Sequence, residues 1–274
     1  MMNWKQLISA KRFGMEEFHE ERQENRSEFQ RDYDRLIFSA PFRRLQNKTQ
    51  VFPLPGSVFV HNRLTHSLEV ASVGRSLGDD VAKALLERHP ELQDSFLPEI
   101  GSIVSAACLA HDLGNPPFGH SGEKAISTFF SEGKGVRLKE KQPNGEQLSP
   151  MEWEDLTHFE GNANAFRILT HQFEGRRKGG FVLTYTTLAS IVKYPFSSSL
   201  AGTKSKFGFF VSEEESFQKI ATELGLTLLN EHPLKYARHP LVYLVEAADD
   251  ICYQMMDIED AYKLKILTTE ETKE

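Results

Sequence analysis

The chain of 274 residues has only two cysteines and no long apolar run. Cys108 and Cys252 each fall on an apolar helical stripe, so we interpret them as small buried side chains and exclude a disulfide framework. The N-terminus has no apolar run of signal-sequence length, and no later segment approaches the ~20 apolar residues of a membrane span. We therefore expect a cytoplasmic protein with no membrane partner.

The chain also lacks an excess of positive charge. Its formal net charge is −7 and its pI is near 5.8. This balance gives no general attraction to nucleic acids or anionic membranes, so any phosphate contact has to be local. Apolar residues make up 39% of the chain, which is enough to bury a core as one domain or as one domain with an appendage.

Charge and turn residues divide the chain. Residues 1–30 are dense in charge and are expected to form an N-terminal arm, either a solvated helix or a mobile segment. Residues 31–274 are expected to form the main domain. Short apolar pairs on both sides of a Pro/Gly turn predict a β-hairpin near residues 51–60.

The remaining pattern is helical. Helical composition recurs in four segments, 31–46, 159–194, 213–230 and 240–265. The segment 131–157 is rich in Gly, Lys, Glu and Pro and is expected to be a surface loop or lid. The pattern predicts an irregular all-α bundle, a fold in which facing helices can build a metal site.

An adjacent imidazole and carboxylate, His111 and Asp112, end an apolar helical pattern. The apolar residues before them recur at helical spacing: Ile100, Ile103, Val104, Ala107 and Cys108. His111 follows on the same face and should point into the core, and Asp112 can turn toward it where the helix ends. Such a pair needs a partner. A divalent cation would satisfy both groups, and a simple buried His–Asp hydrogen bond is the alternative.

Two other predicted helices carry one such group each. His66 begins a stripe that continues through Val70, Val73, Leu77, Val81 and Ala84. Asp249 lies within a stripe of Val242, Val245, Cys252 and Met256, where an unpaired charge is costly. Two imidazoles and two carboxylates form a mixed N/O set suited to Mn, Fe, Zn or Mg. One shared metal site explains these four positions better than four independent placements of a polar residue in the core.

A second histidine, His120, lies beyond the Gly/Asn/Pro segment that follows the His–Asp doublet. A histidine that is free to move beside a metal is a candidate general acid. Glu123 lies three residues later and could fix its orientation from the next helical turn. An exposed loop histidine is the alternative.

Several longer stretches resemble one known family. They are RLQNKTQVFPL at 44–54, RLTHS at 63–67, HDLGNPPFGHSGE at 111–123, HFEGNA at 158–163 and EAADDI at 246–251. Together they resemble the bacterial deoxyguanosinetriphosphate triphosphohydrolases and related dNTPases of the HD superfamily, from about residue 30 onward. The resemblance implies an HD-type helical domain that hydrolyses deoxynucleoside triphosphates, with dGTP favoured. Water would attack the α-phosphorus and release the deoxynucleoside and tripolyphosphate.

The resemblance also implies residue roles. His66, His111, Asp112 and Asp249 match the metal ligands, and His120 with Glu123 matches the catalytic pair. The positions that match substrate contacts are Gln50 toward the sugar, Arg63 and Asn162 toward phosphate, Lys193, Tyr194 and Lys206 along the triphosphate, and Tyr253 with Asp257 near the sugar. Surface charges at the two lysines, and a core position for Tyr253, are the alternatives.

The resemblance implies cofactors and partners as well. The metal would be Mn²⁺ or Mg²⁺, with Fe, Zn or Ni as alternatives, and family members form tetramers or hexamers. They also continue past the position of residue 274, so a C-terminal helical part is expected to be missing. Two alternatives stay open: an HD-type nucleotidase or phosphodiesterase, and a non-catalytic regulator that senses nucleotides or binds single-stranded nucleic acid.

Overall fold

The computed structural model describes residues 2–17, 26–49, 61–140, 145–175, 178–202 and 205–272. These residues are mostly helical, as predicted. The helices are α1 (Trp4–Leu7), α2 (Glu28–Ile37), α3 (Ala40–Arg44), α4 (Arg63–Arg88), α5 (Ile100–Ala110), α6 (Gly119–Ser131), α7 (Pro150–Thr157), α8 (Gly161–Thr170), α9 (Tyr185–Ile191), α10 (Glu214–Glu223) and α11 (Val242–Lys263). Within the described ranges, none of these helices has both the length and the apolar composition needed to cross a membrane.

A small antiparallel sheet precedes α11. Its strands are β1 (Leu228–Asn230) and β2 (Lys235–Tyr236), with Leu228 opposite Tyr236. The hairpin predicted near residues 51–60 lies outside the described residues. The sheet that the structure describes was not predicted, because β1 is short and exposed along its whole length and shows no apolar alternation.

Helix α5 lies at the centre of the molecule. All of its residues are buried, and α2, α4, α9 and α11 pack around it. Its sequence, IGSIVSAACLA, contains no charged residue, because a helix that is covered on every side is apolar all round. The end of α5 is therefore a point on which several helices can converge.

Glycines allow α4 to approach α5 closely. A Cβ added at Gly78 would lie 2.7 Å from the Cα of Gly101, and one added at Gly74 would lie 2.6 Å from the Sγ of Cys108. Neither position has room for a side chain. Since α4 carries His66 and α5 leads into His111, this close packing sets the spacing of the two imidazoles.

The predicted apolar stripe of α4 was only partly right. Val70 is buried, but Ala84 is exposed. The buried face beyond His66 consists mainly of small residues, Ala71, Gly74, Gly78 and Ala82. Apolar periodicity in a sequence reveals large side chains, whereas two helices packed this closely need small residues on the face that they share.

The N-terminal residues pack on the helices. Leu7 and Ile8 are buried in the main core. The carbonyl of Leu7 accepts a hydrogen bond from His239 Nε2 at 3.0 Å, and Arg12 Nη1 donates to Asp32 Oδ1 at 2.7 Å. These contacts tie residues 2–17 to α2 and to the loop before α11. The domain boundary at residue 30 stays a prediction, and residues 18–25 lie outside the described part.

Two predicted segments need correction. The segment 131–157, expected to be a loop, contains a 3-10 helix at Lys134–Lys139 and all of α7. Helix α7 forms because Ser149 and Glu152 make a capping box around Pro150 at the first helical position. The helix expected over 213–230 ends at Glu223, where a left-handed glycine, Gly225, terminates it.

Candidate active site

The structure brings the four predicted metal ligands together. His66 lies on α4 and Asp249 on α11, and the Nε2 and Oδ1 atoms of these two residues are 2.9 Å apart. His111 and Asp112 directly follow α5. His111 Nε2 lies 3.5 Å from Asp249 Oδ1 and 3.6 Å from Asp112 Oδ1. We call these four residues the His–Asp cluster.

The chain turns sharply just after Asp112. A Cβ added at Gly114 would lie 2.0 Å from the carbonyl oxygen of Gly161, so the turn passes directly against the start of α8. The backbone N–H of Leu113 donates to the carbonyl of Ala110 at 3.1 Å and closes the end of α5. Only glycine fits at position 114. The close contact between this turn and α8 holds the side chain of Asp112 beside the imidazole of His111.

The imidazole of His111 presents an unused nitrogen to the cluster. Its Nδ1 donates to the carbonyl of Cys108 at 2.6 Å, which we assign as the protonated nitrogen. Among the described residues, the buried Nε2 has no hydrogen-bond partner. A lone pair that faces two carboxylate oxygens is unfavourable unless a proton or a cation lies between them.

The spacing of the cluster also fits a cation. Ligand atoms of His66, His111 and Asp112 all lie within 4.8 Å of one another. Bonds of about 2.1 Å to one metal place neighbouring ligand atoms about 3–3.4 Å apart. Asp249 is not a member of that three-residue group, but its Oδ1 lies 2.9 Å from His66 Nε2 and 3.5 Å from His111 Nε2, close to this range, so the residues present fit a divalent metal ion with N/O ligands.

The charges of the cluster depend on one another. Burial disfavours the charged form of His111, but the carboxylates of Asp112 and Asp249 outweigh it and raise the pKa of His111 to about 9. Burial would raise the pKa of Asp249, but the two imidazoles hold it well below its usual range. Asp112 follows the same pattern, because the charges of His111 and Arg63 lower its pKa against the effect of burial. A cation bound here would take the place of the imidazole proton.

Asp112 is held from outside the cluster. Arg63 Nη1 donates to its Oδ2 at 2.6 Å, and the amide of Asn115 donates to its Oδ1. Lys48 Nζ fixes the same turn by donating to the carbonyl of Asn115 at 2.7 Å. Asn115 and Lys48 received no role from the sequence, although both lie in motifs that the resemblance quoted, because their contacts exist only in the folded chain.

His120 and Glu123 form a pair at the start of α6. His120 Nδ1 lies 2.7 Å from Glu123 Oε2, and Glu123 Oε1 accepts from the backbone N–H of Gly161 at 2.8 Å. The side chain of His120 is 85% exposed, whereas that of Glu123 is 12% exposed. A fixed carboxylate therefore orients an imidazole that faces open space.

Two adjoining cavities meet at the His–Asp cluster. The first, about 250 Å³, is lined by Asn162, Lys193, Tyr194 and Lys206, and we call it the cationic lobe. The second, about 380 Å³, is lined by Arg63, His66, Phe118 and Tyr253, and we call it the aromatic lobe. Both are also lined by Asp112, Asn115, His120, Glu123 and Asp249. The cleft therefore offers different chemistry on the two sides of the cluster.

The two lysines of the cationic lobe are partly buried and ion-paired. Lys193 Nζ lies 2.9 Å from Glu246 Oε1, and Lys206 Nζ lies 2.9 Å from Glu160 Oε1. Burial opposes the charge of each lysine, but its carboxylate partner raises its pKa, so both stay cationic. Glu246 also accepts from Arg238 Nη1 at 2.9 Å.

The acidic partners had no predicted role. Glu160 caps α8 and accepts from Asn162 Nδ2 at 2.7 Å, in addition to pairing with Lys206. Glu246 lies three residues before Asp249 on α11, and this helical spacing is the signal that could have placed it on the cleft.

The remaining predicted contacts lie at the aromatic lobe or outside the described residues. Tyr253 is 47% exposed and lines the lobe, so it is not a core residue. A hydrogen bond to Asp257 raises the pKa of Tyr253, which connects Asp257 to the lobe through the tyrosine. Gln50 lies outside the described residues.

Comparison with known proteins finds a domain family that includes part of this site. Residues 63–178 match the HD domain family. The chain is 45% identical, over 97% of its length, to a deoxyguanosinetriphosphate triphosphohydrolase-like protein of Synechocystis sp. and covers 61% of that protein. It is 46% identical to one from Pseudomonas aeruginosa, over 99% of the chain and 60% of that protein. A deoxyguanosinetriphosphate triphosphohydrolase of Yersinia enterocolitica is 36% identical over 98% of the chain. The chain spans about three fifths of the length of these relatives.

Proposed function

We propose that the chain belongs to the HD-domain phosphohydrolases and hydrolyses deoxynucleoside triphosphates, because residues 63–178 match the HD domain and the chain is 45% identical to a deoxyguanosinetriphosphate triphosphohydrolase-like protein. The reaction is water attack on the α-phosphorus, with dGTP the favoured substrate, giving deoxynucleoside and tripolyphosphate. The observation that carries the proposal is the position of the His–Asp cluster between a cationic and an aromatic lobe. A bond that breaks at the cluster then has the triphosphate on one side and the nucleoside on the other.

The proposal assigns the metal to the His–Asp cluster. His66, His111, Asp112 and Asp249 hold a divalent cation, Mn²⁺ or Mg²⁺, and the buried Nε2 of His111, which has no hydrogen-bond partner in the described part of the chain, supports this assignment. When bound, such an ion polarises a phosphoryl oxygen and makes hydroxide available near neutral pH. Arg63 and Asn115 keep the Asp112 carboxylate in place for it.

His120 supplies the proton for the leaving group. As water forms the new bond to the α-phosphorus, the bond from phosphorus to the 5′ oxygen breaks, and that oxygen takes the proton from His120 Nε2. Glu123 holds the other ring nitrogen and is itself anchored on the N–H of Gly161. Glu123 is therefore a positioning residue in this mechanism.

The lobes bind the two halves of the substrate. Lys193, Lys206 and Asn162, with Tyr194, contact the triphosphate, because cations and amides suit a polyanionic tail. Arg63 lies near the α-phosphate through its contact with Asp112. Tyr253 with Asp257, and Gln50, contact the sugar, where a close fit would exclude a 2′-hydroxyl.

The direct test is product analysis. The chain is incubated with each of the four dNTPs and Mn²⁺, and the products are separated by chromatography. We expect deoxynucleoside and tripolyphosphate in equal amounts, with dGTP turned over fastest. Release of orthophosphate instead would favour an HD-type nucleotidase or phosphodiesterase. Nucleotide binding without turnover would favour a regulator.

The role of His120 is tested by His120→Ala. We expect turnover to fall at least about 100-fold, as removal of a general acid usually does, while the bound metal per chain stays the same. The matched control is His89→Ala, because His89 pairs with Glu91 in a similar exposed contact but lies at the far end of α4. Unchanged turnover in His120→Ala would remove this mechanism.

The assembly state is a further part of the proposal. An apolar stripe of exposed residues runs along the outer face of α11: Ile251, Met255, Ile258 and Tyr262. An exposed stripe of this kind supports self-association into a homo-oligomer. Light scattering on the wild-type chain and on Met255→Glu measures it, and a monomeric wild-type chain would contradict it.

A further inference from the structure

Phe118 combines two unfavourable features. Its backbone is left-handed, with φ +66°, a conformation that is costly for a bulky L-residue. Its side chain is 62% exposed, so the ring gains little from burial. Backbone strain of this kind clusters at functional sites.

The position of Phe118 relates this strain to the cleft. Phe118 and Gly119 are consecutive left-handed residues that lead from Pro117 into α6. Both line the aromatic lobe, together with Arg63 and Tyr253. His120 follows at once and lines both lobes. The same short turn therefore presents the proposed acid and an exposed aromatic ring to one cavity.

We propose that Phe118 binds the nucleobase of the substrate by stacking, next to the sugar that Tyr253 contacts. This inference rests on the proposed function, because it assumes that the triphosphate occupies the cationic lobe. With the scissile bond at the His–Asp cluster, the nucleoside extends into the aromatic lobe of about 380 Å³. Every nucleobase has a π face, so aromatic stacking there binds all four dNTPs, and purines more tightly because their ring area is larger.

The substitution Phe118→Gly distinguishes a residue that stacks on the base from one that only stabilises the fold. A structural Phe118 would lose stabilising contacts when replaced by glycine. A strained and exposed Phe118 loses few contacts, and glycine adopts a left-handed backbone without cost. We therefore expect Phe118→Gly to keep or raise the unfolding temperature while it weakens nucleotide binding.

The experiment measures binding in the absence of turnover. The parent protein is His120→Ala with Mn²⁺, and calorimetry measures its affinity for dGTP, dCTP and tripolyphosphate. Adding Phe118→Gly should weaken dGTP binding about tenfold, or about 1.4 kcal/mol, and dCTP binding less. Tripolyphosphate binding should not change, because that ligand has no base. Phe118→Tyr should restore dGTP binding, and Phe118→Leu, which keeps apolar bulk without a π face, should not.

Lys265→Gly is the matched control, because Lys265 is also a left-handed non-glycine residue and is exposed beyond the end of α11. It should leave dGTP affinity unchanged. Equal dGTP affinity in the parent and in Phe118→Gly would overturn the stacking subsite and leave the proposed function standing. Equal losses for dGTP and tripolyphosphate, or full restoration by leucine, would overturn it as well. A parent that binds no dNTP would overturn both proposals.

Discussion

The orientation of the His111 ring depends on one backbone carbonyl. Because Nδ1 donates to Cys108, one turn back on α5, the nitrogen that faces the cluster is Nε2. The sequence indicates that an imidazole points inward at this position, but it contains no information on which nitrogen does so. That choice decides whether the cluster accepts a cation or donates a proton.

At the residue scale, Glu123→Gln tests orientation separately from chemistry. The amide oxygen can still accept from the N–H of Gly161, but the amide no longer holds an imidazolium at His120. We expect kcat to fall about 10- to 100-fold, with little change in KM or in unfolding temperature. Steady-state kinetics and thermal unfolding measure these quantities. Glu91→Gln is the control for the exposed His89 pair, and an unchanged kcat in Glu123→Gln would contradict a positioning role.

Asp155 predicts a pH effect on stability. Its side chain is buried on α7, where one carboxylate oxygen accepts from the N–H of Val211 at 2.7 Å and the other has no partner among the described residues. Burial outweighs the hydrogen bonds from Ser198 and from the N–H of Val211 and raises the pKa of Asp155 to about 6. The folded chain thus holds this proton more tightly than the unfolded chain, so Asp155 lowers the free energy of unfolding as the pH rises from about 4 through 6.

Asp155→Asn removes that penalty. Asparagine carries no charge, and its carbonyl oxygen can still accept from Val211. We expect the variant to be more stable than wild type by about 1–3 kcal/mol at pH 7.5 and by much less at pH 4.5. Urea unfolding at the two pH values measures the difference. A gain that does not depend on pH would show that the charge of Asp155 is not the cause.

At the element scale, the contact between α4 and α5 controls the site from a distance. In Gly78→Ala, the new Cβ would meet the backbone of Gly101, which cannot move aside without separating the helices. We expect a loss of about 2–4 kcal/mol of stability and weaker metal binding, because His66 and His111 lie on the displaced elements. Urea unfolding and metal titration measure the two effects.

The control for this change is Ser76→Ala on the exposed side of the same helix. Ser76 donates to the carbonyl of Ser72 within α4, so alanine should be neutral or slightly stabilising there. Equal behaviour of the two variants would mean that the close helix contact does not set the geometry of the cluster.

Some elements could be predicted from the sequence because one pattern determined each of them. Asp249 was visible as a carboxylate within an apolar stripe, and the end of α5 as a Gly/Asn/Pro segment. Helix α7 was missed because its capping signal at Ser149 lies within a mostly polar segment. The stripe of α4 was misjudged because its buried residues are small.

The ion pairs of Glu246 could not be predicted from the sequence, for a different reason. Lys193 meets Glu246 only when α11 packs beside the residues that follow α9, and Arg238 meets it only when the loop before α11 folds back on that helix. Single-sequence patterns report the local face of a helix. They do not report which face of which neighbour it meets.

At the scale of the whole molecule, metal binding should stabilise the fold. The four proposed ligands come from α4, from the end of α5 and from α11, so unfolding any one of them disrupts the site. A saturating ion at about 100 times its Kd adds about 2.7 kcal/mol to the free energy of unfolding. We expect Mn²⁺ to raise the unfolding temperature by about 5–10 °C and EDTA to reverse the effect.

Differential scanning calorimetry with and without Mn²⁺ measures this shift. His111→Ala should abolish it, whereas His89→Ala, outside the cleft, should keep it. A shift of equal size in His111→Ala would place the ion elsewhere on the molecule.

Helix α11 has one further consequence for the whole protein. Glu246, Asp249 and Tyr253 follow one another at spacings of three and four residues, so they share a side of a single rigid rod. Any rotation or slide of α11 therefore moves three groups together. They are the Glu246 carboxylate in the cationic lobe, the Asp249 carboxylate of the His–Asp cluster and the Tyr253 ring in the aromatic lobe. Repacking mutations at Ala248, which is fully buried on the same helix, should therefore change metal affinity and nucleotide affinity in step. Plotted against each other across a mutant series, the two affinities should fall on one line.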